Sequence, residues 1–236
     1  MQCEEEEEDL DEFNPYFFIA HLPLYESVCE KGKICLPPQR REGQRPTLAL
    51  DLDETLVHCT VEPIANPDVI FPVMFNGQQY QVYARKRPHL DQFLAAVAEI
   101  FEVVVFTASQ KVYADALLDK LDPTKSLVQH RLFRESCLMV QGNYLKDLHV
   151  LGRDLKTSVL VDNSPHAYSY QTDNGVPIES WYDDDSDTEL LKLLAFLKTL
   201  QDVTDVRPIV RNHFKTHSLV ERARNGLSVP LTAPPF

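Results

Sequence analysis

Thr47 to Val57 reads TLALDLDETLV, a short and nearly uninterrupted apolar run that breaks into Asp51-Leu52-Asp53-Glu54-Thr55. An apolar run of this length, closed by an acidic turn, marks a strand buried on both faces that stops where the sheet meets solvent. Two further runs have the same form. Val103–Phe106 (VVVF) ends at Thr107, and Ser158–Val161 (SVLV) ends at Asp162-Asn163. Apolar residues recur at helical spacing between and after them: Leu90, Phe93, Leu94, Val97 and Ile100 within Pro88 to Phe101, Val112, Ala116, Leu117 and Leu121 within Lys111 to Leu121, and Leu190, Leu191, Leu194 and Leu197 within Asp187 to Leu200. The expected fold is therefore α/β, an open parallel sheet with helices on both faces. A small β-hairpin insertion interrupts it: Phe71–Phe75 and Tyr80–Ala84 flank Asn76-Gly77, a favoured tight-turn pair. A second hairpin is expected where Leu138–Val140 and Tyr144–Leu145 flank Gln141-Gly142-Asn143. After Asp205 the periodic pattern is lost, and Val229 to Phe236 reads as mobile.

Ligands of open α/β sheets bind beyond the carboxyl ends of the strands. The three run-ending groups, Asp51 with Asp53, Thr107, and Asp162 with Asn163, are thus expected to meet. Alternate residues of an extended segment point the same way, so Asp51 and Asp53 can reach one cavity. Two carboxylates in different surroundings can divide a reaction between them. Asp51 is expected to be a nucleophile toward phosphorus, and Asp53 a general acid that protonates the leaving oxygen and later takes a proton from water. Three carboxylates facing an anionic phosphate need a counter-ion. Mg²⁺ is hard and oxygen-seeking, and the expected oxygen donors are Asp51, Asp162 and Asn163, with Asp53 beside them. Lys146, in Asn143-Tyr144-Leu145-Lys146-Asp147, is the candidate to hold the phosphoryl oxygens, and Thr107 is expected to donate its hydroxyl or backbone N–H. The bland alternatives are turn aspartates without a shared cavity, a surface lysine, and a threonine capping the helix at Lys111.

Composition narrows the setting. The 236 residues carry 36 acidic and 23 basic side chains, a net charge of −13. Eight of the acids lie in Glu4 to Glu12, leaving −5 for the remainder. Such a body is a poor sequence-independent nucleic-acid binder, so no direct nucleic-acid partner is expected. Seven glycines, no two closer than ten positions, exclude a Walker A loop and a GxGxxG fingerprint, so phosphate is handled without a Gly-rich cradle. No uncharged apolar run approaches a membrane span, the acidic N-terminus does not suit a signal peptide, and five cysteines without a CxxC fit an intracellular setting.

DLDETLV, FTAS, NYLKDL and VDNSP, in that order, resemble the four motifs of the haloacid-dehalogenase (HAD) superfamily. KRPHLDQFL, RLFRESC and LGRDL, with NPYFFIAHLP upstream and NGVPIESW and DVRP downstream, are similar to its branch of phosphatases that act on the RNA polymerase II C-terminal domain. The resemblance runs from about Phe13 to about Phe214. It implies a HAD-like fold and a Mg²⁺-dependent phosphoserine/phosphothreonine protein phosphatase. It also implies Asp51 as nucleophile, Asp53 as acid/base, Thr107 and Lys146 at the phosphate, and Asp162 with Asn163 at the metal. By the same resemblance Arg134 contacts a second substrate phosphate and Tyr113 lines a proline pocket. The chain departs from these relatives at Val61, where they carry an aromatic, which weighs against the polymerase tail as substrate. The expected organisation is an acidic extension and linker over 1–43, the phosphatase domain over 44–203, and a partly mobile C-terminal extension over 204–236. The resemblance implies the nucleus, with the cytoplasm left open and the oligomeric state unassigned.

Short insertions between the motifs, Thr60 to Pro88 and Ser126 to Leu145, imply an open cleft that admits a loop of a phosphoprotein. Two rival readings remain at this point: a phosphatase of small metabolites or nucleic-acid ends, and a non-catalytic peptide-binding module on the same fold. Other patterns carry less. Cys35 and Arg41 have C-x5-R spacing, but Pro37 and Pro38 lack the N–H groups such a loop needs. His213 and His217 lack a third metal ligand nearby. Arg85-Lys86-Arg87 reads as a solvated charge run, and Asp183-Asp184-Asp185 as a loop leading into a helix.

Overall fold

The computed structural model describes residues 14–39 and 45–231. The acidic run, Arg41, Cys3 and the last five residues lie outside them.

Five parallel strands form the central sheet: β1 (Thr47–Leu50), β5 (Glu102–Phe106), β6 (His130–Leu132), β9 (Ser158–Asp162) and β10 (Gly175–Pro177), in the order β10-β9-β1-β5-β6. Strand β1 lies at the centre, with Leu50 opposite Val105 on one side and Val161 on the other. That register brings the ends of the three expected strands to one level. Alternation divides the side chains between two buried faces. Leu48, Leu50, Val103, Val105, Val159 and Val161 belong to a core that includes α3 (Leu90–Ile100), α4 (Lys111–Leu121) and α5 (Glu189–Lys198). Ala49, Val104, Phe106 and Leu160 face the second layer, where Leu36, Leu148, Leu151 and Tyr168 cover them. The expected layers on both faces are present, with α-helices on one side and short 3₁₀ turns on the other.

Both hairpins form. Strands β3 (Val69–Phe75) and β4 (Gln78–Lys86) pair up to Phe75–Gln78, and Asn76 and Gly77 both take positive φ (50° and 77°), as a two-residue hairpin turn requires. Strand β2 (Val57–Thr60) adds a third member on the free side of β4. The second hairpin joins β7 (Leu138–Val140) to β8 (Asn143–Leu145), and Asn143, expected in its turn, belongs to the strand.

The expectation for the tail is corrected. Beyond Asp205 the chain forms α6 (Arg207–Phe214) and α7 (Thr216–Arg224). Val206, Val210 and Phe214, each four apart, are buried along one stripe, with Pro208 in the first turn of α6. Helix α7 buries Val220 and Ala223 against Tyr16 and Ile19 of α1 (Pro15–Ala20), whose first turn is capped by the Asn14 side chain accepting from Tyr16 N–H at 3.0 Å. A four-residue helix, α2 (Tyr25–Val28), follows α1.

Candidate active site

Asp51 leaves the end of β1 with its N–H donating to Val161 O at 2.9 Å, so the neighbouring strand holds its backbone. The residue is 6% exposed. Lys146 Nζ donates to Asp51 Oδ1 at 2.5 Å and to Asp162 Oδ2 at 2.5 Å. Lys146 is 2% exposed and lies directly after β8, with its backbone N–H donating to Ala167 O. One buried cation thus bridges two carboxylates that stand 111 positions apart in the chain. Burial pulls the Lys146 ammonium down, but the charges of Asp162 and Asp51 outweigh it and hold its pKa above the ordinary lysine value. Burial pushes Asp162 up, Lys146 pulls it back, and Asp51 adds to the rise.

The other oxygen of Asp51 accepts from Thr55 Oγ1 at 2.8 Å, and the same hydroxyl lies 3.4 Å from Asn163 Oδ1. Asn163 Nδ2 donates to Ser180 Oγ at 2.8 Å. Thr55 and Ser180 therefore set the orientation of Asp51 and Asn163. Neither was singled out from sequence, although Thr55 belongs to DLDETLV and Ser180 to NGVPIESW.

Asp53 has separate partners. Ser109 Oγ donates to its Oδ2 at 2.7 Å, the Tyr113 hydroxyl donates to its Oδ1, and Thr107 Oγ1 approaches Oδ2 at 3.5 Å. Burial pushes this carboxyl above its ordinary range. The Tyr113 and Ser109 bonds oppose the rise, and Asp51 adds to it. Ser109 also escaped the sequence reading, although it is the last residue of FTAS.

Thr107 sits beyond β5 as expected, but half of its expected role is corrected. Its backbone N–H donates to Leu132 O at 3.0 Å, within the sheet, so only the hydroxyl is left for a ligand. That hydroxyl accepts from Ser109 N–H. The residue before α4 is Gln110, so Thr107 does not cap that helix.

These groups open into one cleft of about 360 Å³, lined by Asp51, Asp53, Thr107, Arg134, Lys146 and Asp162 together with Asn143, Tyr144, Ser164 and His166. Arg134 is held over the Tyr144 ring, 5.0 Å from its centroid, and its Nε donates to Ala108 O at 2.6 Å. Tyr113 stands behind Asp53, stacked on Phe71 at 6.3 Å. Val61 is 59% exposed just past β2.

Arg87 requires a correction. It was expected in a solvated charge run and is 1% exposed, with its guanidinium forked onto Asp187 at 2.8 Å for each bond.

Among the described residues no group of three or more His, Cys, Asp and Glu side chains is arranged to hold a metal. The oxygens that share partners are those of Asp51, Asp162 and Asn163, two carboxylates and an amide. That is a hard donor set of the kind Mg²⁺ takes with substrate and water completing its shell. The Asp53 carboxylate is engaged by Ser109 and Tyr113 instead.

The model of the NLI interacting factor-like phosphatases matches residues 46–207. CTD small phosphatase-like protein 2 of Dictyostelium discoideum is 51% identical over 212 residues, covering 90% of this chain and 37% of that protein. CTD small phosphatase-like protein 3 of Caenorhabditis elegans is 46% identical over 234 residues, covering 95% and 81%. Carboxy-terminal domain RNA polymerase II polypeptide A small phosphatase 1 of Homo sapiens is 48% identical over 171 residues, covering 72% and 65%. A solved structure of Fcp1, an essential RNA polymerase II CTD phosphatase, superposes with a TM-score of 0.52 at 19% identity over 80% of this chain and 68% of that one, a likeness of fold.

Proposed function

The chain belongs to the NLI interacting factor-like phosphatase family, and from that premise we propose that it is a Mg²⁺-dependent phosphoserine/phosphothreonine protein phosphatase working through an aspartyl-phosphate on Asp51. One observation carries the reading: Lys146 ties Asp51 to Asp162 while Asp53, two residues on, is held apart by Ser109 and Tyr113. Two carboxylates of one turn are thereby given different work.

In the first half-reaction an Asp51 oxygen attacks phosphorus and the bond from phosphorus to the seryl oxygen breaks. The seryl oxygen leaves as an alcohol because Asp53, raised by burial, supplies the proton. In the second, water attacks the acyl phosphate, Asp53 takes back a proton, and inorganic phosphate departs with Asp51 restored. Lys146 meets the charge on the transferring group, and its burial makes that contact stronger than in water. Asp51, Asp162 and Asn163 would hold Mg²⁺. The ion supplies charge neutralisation for the phosphoryl oxygens when bound.

The substrate we propose is a phosphorylated segment of another protein, in the nucleus by likeness to relatives named for the RNA polymerase II tail. Arg134, fixed over Tyr144 at the cleft wall, is the group suited to a second phosphate. Tyr113 serves Asp53 rather than the substrate in this reading. The chain spans 37% of the length of one relative and 81% of another.

The test is turnover of p-nitrophenyl phosphate with and without Mg²⁺, in wild type and Asp51→Asn. Mg²⁺-dependent turnover lost in the variant is expected. No turnover from pH 4 to 9 overturns the reading in favour of a binding module. A preference for sugar phosphates over phosphopeptides overturns the substrate class.

A further inference from the structure

Arg87 is the largest side chain that the described fold buries completely. An arginine stays charged at every working pH. Burying it costs several kcal/mol unless nearly every donor is matched, and an apolar residue of similar size usually stabilises as well. Packing alone therefore does not explain it. Its partners do. Nε and Nη2 donate to the two oxygens of Asp187, each at 2.8 Å. Nη1 donates to Thr55 O at 3.0 Å and to Glu179 O at 2.9 Å. The two carbonyls belong to the two loops that orient the cleft: the Thr55 hydroxyl holds Asp51, and Ser180, next to Glu179, holds Asn163. A backbone bond from Trp181 N–H to Glu54 O at 2.7 Å ties the same loops again. Asp187 in turn accepts from Glu189 N–H at 3.1 Å, which anchors the fork at the start of α5.

We infer that Arg87 is a positioning residue for the reaction, setting the Asp51–Asn163 geometry through Thr55 and Ser180, with Asp187 as its fixed support. The inference rests on the function proposed above. A planar fork is needed because one group must face a carboxylate and two carbonyls at fixed angles; the lysine ammonium lacks that shape. Displacement of one loop against the other separates Asp51 from Asn163 while leaving the rest of the cleft, Arg134 and Tyr144, in place.

The experiment compares wild type, Arg87→Lys, Asp187→Asn and Lys86→Ala, the last a control in the same charge run whose ammonium pairs at the surface with Asp91. Steady-state turnover of p-nitrophenyl phosphate is measured at least 15 °C below each Tm, together with the shift of Tm on adding Mg²⁺. Expected for Arg87→Lys is a fall in kcat of about tenfold, KM within about twofold, and a Mg²⁺-induced Tm shift less than half that of wild type. Asp187→Asn falls between, and Lys86→Ala matches wild type. A lower Tm with kcat and the Mg²⁺ shift unchanged makes Arg87 a structural staple and overturns the inference. An inactive wild type that still gains Tm from Mg²⁺ refutes the proposed function, and the inference is then judged on the Mg²⁺ shift alone. A wild type with neither response refutes both.

Discussion

Asp51 and Asp53 differ by one intervening leucine and by everything around them. Strand β1 ends at Leu50, and Glu54 takes a left-handed conformation (φ 56°), so the chain turns tightly while both carboxylates still face the cleft. Asp51 meets a cation, and Asp53 meets two hydroxyls. This division makes Tyr113→Phe informative. Removing its hydroxyl leaves the Asp53 carboxyl titrating higher and no longer fixed at Oδ1, free to turn away from the leaving oxygen. Turnover of a phosphoserine peptide, whose alcohol must be protonated to leave, is expected to fall about tenfold or more. In single turnovers that isolate the first half-reaction, p-nitrophenyl phosphate, whose phenolate leaves unaided, loses much less; equal losses of that step on both substrates would contradict the acid role of Asp53. Of the residues proposed to carry the chemistry, Asp51, Thr107 and Asp162 were legible because each ends an apolar run. Thr55, Ser109 and Ser180 were not, because a hydroxyl that orients another side chain leaves no pattern in the sequence. Arg87 was misread for a related reason: a charge run looks solvated until the fold supplies Asp187 from 100 positions away.

At the scale of elements, long periodic segments were readable and short ones were not. Helices α3, α4 and α5 and the hairpin at Asn76-Gly77 formed where spacing put them, whereas β6 and β10, three residues each, are defined only by the strands they flank. The tail helices escaped because a stripe four apart is faint among charged neighbours. Strand β10 depends on a close approach. A Cβ at Gly175 would lie 2.2 Å from the Tyr168 ring, which is buried and has little room to withdraw. Gly175→Ala is expected to destabilise by about 1–3 kcal/mol, seen as a lower urea midpoint at unchanged slope. At the start of β5, Glu102 accepts a fork from Arg153 at 2.7 Å for each bond. Burial pushes its carboxyl up, but the Arg153 bonds and charge, with Thr47 and His130, hold it below the ordinary 4.5. A depressed carboxylate contributes stability above its unfolded pKa and loses it as pH falls through the folded one. Glu102→Gln is therefore expected to cost about 2 kcal/mol near neutrality. The gap in Tm from wild type should close as pH drops below 4.5, and a gap that widens with acid would refute the assignment.

At the scale of the whole described fold, the segments flanking the family-matched stretch 46–207 meet each other. Helix α1 packs on α7, Asn14 donates to Val229 O at 3.2 Å, and Phe18 lies 4.9 Å from the His166 ring at the cleft. Tyr25 donates to Asp147, the neighbour of Lys146, at 2.6 Å. The N-terminal segment is thus a support of the cleft wall. Tyr16→Ala, which empties a fully buried site between α1 and α7, is expected to cost about 3 kcal/mol and lower the Tm. An unchanged Tm would show that α1 and α7 do not dock. All of these supports converge on the end of β1, where the proposed covalent step takes place. That step is tested most directly by acid-quenching the protein within milliseconds of mixing with ³²P-labelled phosphoserine peptide and Mg²⁺, then mapping the label by proteolysis and mass spectrometry. The label is expected on Asp51, acid-stable and released by hydroxylamine, and absent from Asp51→Asn. Label on another side chain, or full turnover with no labelled protein at any time, would contradict the account.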